Sequence, residues 1–429
     1  MSSITRRTFF QGAALAASAT QVIGANDRIR LGLVGLGGRG MNHLEFYLQI
    51  SDAQIVGLCD VNQAARERAQ AGLSKANSGK ASEFNDMREM FENKDIDAVS
   101  IATPNHWHAL SAIWAVEHGK DVYVEKPASH NIYEGTRMIE TARKHKRMVQ
   151  VGSQSRTVPH KRKAIQLLHE GVIGEVYEAR ALCFKRRKSI GITPVQPVPP
   201  GVDWDLFLGP APMRPFTANR FKYNWHWFWD TGNGDIGNQG VHEMDIARWG
   251  LGDFAWPESI VSDGGKWIYE DDQETPNTQL ATFRCAGQKM LVFEVRGLLT
   301  GPEGGLPVKP GNTVGNLFLG SKGWMWVDSE GFQVYEGEDN KQVMAEKGDD
   351  GPGAVLHMRN FLAACRSRDH KKLNADIEIG ATSAAWCHMA NIAYRTKERL
   401  DWDPSKMGFK DSPAAAKYIS RDYRKPYVV

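Results

Sequence analysis

Six residues near the start of the chain limit its architecture more than any other feature. Gly35-Leu36-Gly37-Gly38-Arg39-Gly40 is a G-x-G-x-x-G run that directly follows the apolar stretch Leu31–Val34 and opens a segment with helical spacing. In a strand–turn–helix setting each glycine has its own task. Gly35 permits a tight turn, Gly37 lets a pyrophosphate approach the backbone, and Gly40 allows the helix to pack closely on the strand. The amides of the helix N-terminus then face the phosphates. Alone, such a run can be a coincidental turn, but Asp60 ends the next apolar stretch, 20 residues beyond Gly40. A carboxylate there accepts hydrogen bonds from the adenosine ribose; its competing role is to cap Val61–Ala65. The two signals together predict a dinucleotide site with Gly35, Gly37, Gly38, Arg39, Gly40 and Asp60 against the cofactor. Because the carboxylate repels a 2′-phosphate, NAD is expected rather than NADP, and Arg39 is the feature that keeps NADP open.

The rest of the N-terminal region fits that reading. Leu31–Val34, Ile55–Cys59, Ala98–Ala102, Val122–Val124 and Met148–Val151 have strand character, while Gly40–Ile50, Gln63–Leu73, His108–His118 and Ile132–His145 have helical spacing. Alternation of this kind predicts a parallel sheet with helical crossovers. Beyond Gly152 a further helical stretch, Pro159–Gly171, leads into Glu175–Phe184. Pro194–Pro215 holds seven prolines in 22 residues, which predicts a long ordered loop anchored by Trp204, Phe207 and Phe216. Ile260–Lys266, Asn277–Arg284, Met290–Arg296, Val314–Leu319 and Trp324–Asp328 read as a mainly antiparallel sheet, followed by helices over Leu356–Arg366 and Glu378–Arg395. The expected division is a signal segment 1–26, a dinucleotide-binding domain 27–152, an α+β domain 153–403 and a polar tail 404–429. At ~150 residues per domain, the length agrees.

Composition removes several classes of function. Lys plus Arg exceed Asp plus Glu by 53 − 50 = +3, too balanced for a dedicated nucleic-acid binder. The 41% hydrophobic and 24% charged fractions fit a soluble folded protein. The five cysteines, Cys59, Cys183, Cys285, Cys365 and Cys387, are scattered and form no Cys-x-x-Cys pair, so neither a disulfide framework nor a zinc ribbon is expected. His106-x-His108 and His242-x-x-Asp245 are the close metal-ligand pairs; neither supplies three ligands, and no metal is expected. Thr5-Arg6-Arg7-Thr8-Phe9-Phe10 precedes the uncharged stretch Gln11–Asn26 and reads as a twin-arginine export signal. An ordinary helix would need charges on its solvent face, and the stretch is too weakly apolar for a membrane span. Export to the periplasm is therefore expected, by a route that carries folded proteins with their cofactors.

Thr103-Pro104-Asn105 and Glu125-Lys126-Pro127 each follow a strand, at the carboxyl edge where open α/β sheets bind ligands. With the glycine run, Asp60 and Gly237-Asn238-Gln239-Gly240-Val241-His242-Glu243-Met244-Asp245, they resemble the Gfo/Idh/MocA oxidoreductase family over most of Arg28–Asp403. The resemblance implies an α/β chain with an N-terminal Rossmann domain and a C-terminal α+β domain built on a large open sheet. It also implies a homodimer or homotetramer, and a carbohydrate or polyol substrate. It extends the cofactor contacts to Thr103, Pro104, Asn105, His108, Glu125 and Lys126, and places Lys126 and His242 at the reacting alcohol.

Oxidising a secondary alcohol needs a group to take the hydroxyl proton, a task suited to His242 near neutral pH, while Lys126 stabilises the developing alkoxide. If Gln239–Gly250 is helical, Asn238 and Asp245 share a face with His242, and Asp245 either orients the imidazole or supports packing. Many relatives carry Asp where this chain has Asn238, and an amide cannot exchange a proton, so proton transfer is assigned to Lys126 and His242. Trp227, in the alternating run Trp225, Trp227 and Trp229, is a stacking surface for a sugar ring or one face of a half-buried strand. Arg156, with Lys161–Lys163 and Lys185–Lys188, either holds an acidic sugar or forms exposed basic faces. Three activities remain open: a sugar oxidoreductase with tightly held NAD, a redox-neutral NAD-dependent glycoside hydrolase, and a silent sugar binder kept alive by Asn238.

Overall fold

The computed structural model describes residues 28–252, 254–298 and 312–429, so the expected export signal lies outside the described residues. Short apolar runs form a six-stranded parallel sheet: β1 (Ile29–Val34), β2 (Ala53–Cys59), β3 (Ser82–Phe84), β4 (Ala98–Ile101), β5 (Asp121–Val124) and β6 (Val149–Val151), in the order β3-β2-β1-β4-β5-β6. Strands β4 and β5 are buried throughout, because helices cover both faces of the sheet. The direction of winding reverses between β1 and β4, which opens a crevice at the carboxyl ends of the central strands. The helix Ile132–His145 begins where expected because Asn131 accepts from the Glu134 amide while the Glu134 side chain accepts from the His130 amide.

The second sheet has ten strands: β7 (Val176–Lys185), β8 (Ser259–Gly265), β9 (Thr278–Cys285), β10 (Lys289–Arg296), β11 (Asn312–Gly320), β12 (Gly323–Val327), β13 (Gly331–Glu336), β14 (Lys341–Lys347), β15 (Leu400–Asp403) and β16 (Gly408–Phe409). Their order is β14-β13-β12-β11-β7-β10-β9-β8-β15-β16, with β7 and β10 parallel and the other pairs antiparallel. One face packs on the helices Pro159–His169, Gly240–Leu251 and Ile377–Thr396 around Phe283, Phe293, Phe318 and Trp386. None of the described helices is long and apolar enough to cross a membrane.

The expected division at Gly152 is only partly that of the packed cores. The chain returns to the first sheet: Met358, Phe361 and Leu362 of the helix Gly353–Ser367 join the cluster of Leu31, Leu33 and Tyr123. Ile377, Ala381, Ala384 and Tyr427 join the cluster on the other face. The Val151 amide donates to the Ala375 carbonyl at 2.9 Å, tying the late chain to β6. Within residues 404–429, Tyr427 is buried in that second cluster. The proline loop is ordered by Trp204, Phe207 and Phe216, whose rings pack on one another, and by backbone bonds to the end of β2: Gln63 amide to Gly201 carbonyl, 2.8 Å, and Asp203 amide to Val61 carbonyl, 2.9 Å.

Candidate functional site

A cleft of about 700 Å³ lies at the carboxyl ends of β1, β2, β4 and β5. Its floor is Gly35, Gly37, Gly38, Arg39, Asp60, Thr103, Pro104, Asn105, His108, Glu125 and Lys126; Leu206, Phe207, Phe221, Tyr223, Trp225, His226 and Asn238 wall it from the other half of the molecule. The glycine run has the shape a pyrophosphate needs. Gly35 sits at φ +82°, and a Cβ on Gly40 would come within 1.8 Å of the Gly35 carbonyl oxygen, so helix and turn touch there. A Cβ on Gly37 or Gly38 would meet nothing within 4 Å, leaving the backbone bare towards the cleft. Asp60 accepts from the amides of Leu36, 2.6 Å, and Asn62, 2.8 Å, which fix its carboxylate at the end of β2. Burial raises its pKa and these amides oppose the rise. Thr103 Oγ1 is buried in the cleft lining with no partner among the described residues. Bare glycines, a carboxylate fixed at the end of β2 and an orphaned hydroxyl fit an adenine dinucleotide.

At the other end, Glu125 is the hub. Its Oε1 accepts from Arg39 Nε at 2.7 Å and lies 3.0 Å from His43 Nε2. Burial pushes the Glu125 carboxyl up, but the Arg39 guanidinium and His43 outweigh it and hold the pKa well below the usual range. Arg39 is thus committed at the end of β5, three strands from Asp60, and is not placed to receive a 2′-phosphate. The cations nearer Asp60, Arg66 and Arg68, donate to the carbonyls of Asp60 and Leu36. His108 bridges the Pro127 carbonyl, 2.6 Å, and the Thr103 carbonyl, 2.8 Å, joining the two strand-end loops. The Asn105 amide donates to Asn233 Oδ1 at 3.0 Å.

Lys126 Nζ donates to the Asn238 carbonyl at 3.0 Å, and burial lowers its pKa. Asn238 Nδ2 in turn donates to Tyr223 Oη, 2.9 Å, which also accepts from Arg187 Nη1, 3.1 Å. With two donors on its oxygen, the phenol has its own proton to offer. His242 lies one turn into the helix Gly240–Leu251, half-buried, and makes no side-chain hydrogen bond to any described residue. Burial first, then the Lys126 charge, holds its pKa well below the usual imidazole value. An ammonium anchored on a carbonyl and a phenol thus line this end of the cleft, and a neutral imidazole outside the lining feels the ammonium's charge.

Residues 29–153 match the family model described as the oxidoreductase family, NAD-binding Rossmann fold, and residues 185–266 match the model of the C-terminal alpha/beta domain of the same oxidoreductase family. The chain belongs to the Gfo/Idh/MocA oxidoreductase family. Among curated relatives it is 30% identical over 159 residues to glycosyl hydrolase family 109 protein 1 of Shewanella sp. (strain ANA-3) and to the corresponding protein of Shewanella baltica (strain OS185). The match spans 36% of this chain and about a third, 35%, of each relative. Among solved structures, the WlbA dehydrogenase from Bordetella pertussis in complex with NADH and UDP-GlcNAcA has a TM-score of 0.65 at 21% identity, covering 88% of this chain and 99% of that one. A levoglucosan dehydrogenase in complex with NADH and levoglucosan has a TM-score of 0.66 at 17% identity, covering 87% and 99%. These neighbours share the fold: an NAD-binding Rossmann domain and a mixed-sheet domain.

Within this Gfo/Idh/MocA chain the residues expected from sequence separate into two groups. All the expected cofactor contacts except Gly40, which packs beneath the turn, line the cleft, as do Lys126 and Asn238; His242 is not among the lining residues, although the Lys126 charge reaches it. Arg156, Asp245 and Trp227 do not line it. Arg156 Nε donates to both oxygens of Asp245, at 3.0 and 2.8 Å, and Ser383 Oγ donates to Oδ1 at 2.6 Å. Asp245 lies three residues from His242, but its side of the helix packs on the turn Gln154–Arg156 rather than on the cleft. Trp227 is buried against the Arg187 guanidinium, 5.2 Å from its ring. Asn224–Trp227 forms a 3₁₀ turn and not a strand, so Tyr223, Trp225 and His226 line the cleft instead. The aromatic density of this stretch was the usable signal, whereas the half-buried strand that its alternation at period two also allowed is not formed.

Proposed function

We propose that the protein is an exported enzyme that oxidises a secondary hydroxyl of a sugar or glycoside with an NAD molecule it holds tightly. The observation that carries this reading is Lys126, anchored on the Asn238 carbonyl at the end of β5, with its charge acting on a His242 imidazole that makes no hydrogen bond to the described residues. The dehydrogenase neighbours crystallised with NADH support it. When bound, NAD supplies the hydride acceptor. Everything else is the work of side chains. Lys126 commits one N–H to the Asn238 backbone carbonyl and keeps two for the substrate oxygen, whose negative charge it stabilises as the O–H bond is lost. His242, neutral by virtue of its burial, takes that proton. Asn238 and Arg187 hold the Tyr223 hydroxyl facing the cleft, where it can donate to a neighbouring sugar oxygen. Side chains exposed on the open face of the second sheet, among them Tyr177, Leu280 and Met290, support a dimeric or tetrameric assembly, which light scattering tests.

His242→Ala is expected to abolish reduction of bound NAD by substrate while cofactor occupancy, read by mass spectrometry after heat release, stays intact. Unchanged single-turnover rates would refute the assignment. The names of the curated relatives favour a second reading, redox-neutral hydrolysis, in which a transient ketone acidifies the neighbouring carbon, the aglycone leaves, water adds and the ketone is reduced again. Incubation with glycosides in deuterated water separates the two, since hydrolysis incorporates deuterium beside the transient ketone and net oxidation yields a keto or lactone product. A silent binder yields neither.

A further inference from the structure

Two lysines meet at the start of the helix Gly240–Leu251. Lys126 Nζ donates to the carbonyl of Asn238, and Lys185 Nζ, from the last residue of β7, donates to the side-chain oxygen of the next residue, Gln239, at 2.9 Å. Both partners are neutral, and no carboxylate among the described residues pairs with either ammonium. The carboxylates around them are committed elsewhere: Glu125 to Arg39 and His43, Asp235 to Arg187, Asp350 to Lys161. Glu243, the remaining acid, accepts from Gln239 Nε2 at 3.1 Å and leaves its Oε2 buried and unpartnered; burial raises its pKa to about 7, so it offsets only part of the charge. Other cations near the site are answered: Arg187 has Asp235, and Arg156 has Asp245. Lys126, which lines the cleft, and Lys185, which stands outside its lining on the neighbouring residue Gln239, therefore keep a positive excess that the described residues do not neutralise.

Leaving such charge half-buried is costly unless a ligand supplies the counter-charge. We propose that the substrate is an anionic sugar, bearing a carboxylate or a sulfate, whose charged group docks at Lys185 while the reacting hydroxyl lies at Lys126. This rests on the oxidoreductase reading only for which hydroxyl reacts. The hydrogen bond that Lys185 donates to Gln239 fixes the ammonium without discharging it, and two of its three protons remain for the anion.

Calorimetry on the NAD-loaded protein with three probes tests this: methyl glucuronide, methyl glucoside 6-sulfate and neutral methyl glucoside. At least one anionic probe should bind about tenfold or more tightly than the glucoside. That preference should shrink as salt rises from about 0.1 M to about 1 M. The tighter of the two anions identifies the group. Lys185→Gln should bring the affinity ratio towards one, and Lys185→Arg should retain it; if the first variant does not fold, the wild-type ratio and its salt dependence decide. Equal affinities, or no binding by either charged probe, overturn the proposal. Anion-selective binding without reduction of bound NAD by any sugar would overturn the oxidoreductase reading alone. Reduction by neutral glycosides with no charge preference would do the opposite.

Discussion

Lys126 and His242 are driven towards their neutral forms by the same cause. Burial removes the water that would solvate either charge; nearby cations add to the effect, Lys126 at His242 and Arg39 and Lys185 at Lys126. The consequence for catalysis has a definite sign. His242 must be neutral to accept the hydroxyl proton, so the acid limb of kcat/KM belongs to its titration and falls below its ordinary value of 6.5. Lys126 must be protonated to hold the substrate oxygen, so the alkaline limb falls below its ordinary value of 10.5. The expected profile is a bell displaced to acid on both sides, measurable as reduction of bound NAD over a pH series. An acid limb at or above the ordinary imidazole value would show that another group takes the proton. Asn238 ties this setting together: its backbone carbonyl anchors Lys126 and its side-chain amide donates to Tyr223, and the donation is one that a carboxylate could not make.

At the scale of the strand–turn–helix unit, two glycines of one motif should fail in different ways. A methyl on Gly37 points into open space in the cleft, so Gly37→Ala should leave the cofactor-free protein as stable as the wild type and weaken NAD binding about tenfold or more. A methyl on Gly40 runs into the Gly35 carbonyl, so Gly40→Ala should cost about 1–3 kcal/mol of folding stability as well. Urea unfolding of the stripped proteins, with titration of NAD, checks both; equal stability of the two variants would contradict the close packing of helix on turn. This unit was legible in the sequence because its requirements are local, and so were β1, β2, β4, β5 and β6, whose apolar runs are short and strongly marked. The three-residue edge strand β3 was not, because two of its residues are exposed and carry no pattern. Strand β14 was missed for the same reason: its residues are nearly all exposed. At the site, the strand-end loops could be read from the motif, but the pairing of Arg156 with Asp245 is a choice of partner made 89 residues apart, which spacing along one helix does not encode.

At the scale of the whole molecule, the cleft is assembled from two stretches of chain that its last residues hold together. Arg421 donates to the carbonyls of His106 and Asp230, and Tyr423 to Glu134. Arg424 donates to the carbonyls of Gly209 and Asp205, and the ring of Tyr427 stands edge-on to Trp107 at 5.4 Å. One side of this clasp is the beginning of the helix Asn105–Glu117, which carries cofactor contacts; the other is the segment that supplies Leu206 and Phe207 to the opposite wall. Each bond is of ordinary strength, but together they oppose the separation through which a bound dinucleotide would leave. Ending the chain at Ser420 should therefore leave a folded protein with a lower melting temperature, from which NAD dissociates about tenfold faster or more. Arg424→Ala should do the same to a smaller degree, since it removes one arm of the clasp. Gel filtration followed by cofactor assay on the collected peak measures the retention, and circular dichroism on the same fractions separates it from unfolding. Retention equal to that of the full chain in the truncated protein would mean that the proline loop, through its bonds to Val61 and Gln63, closes the cleft without the tail.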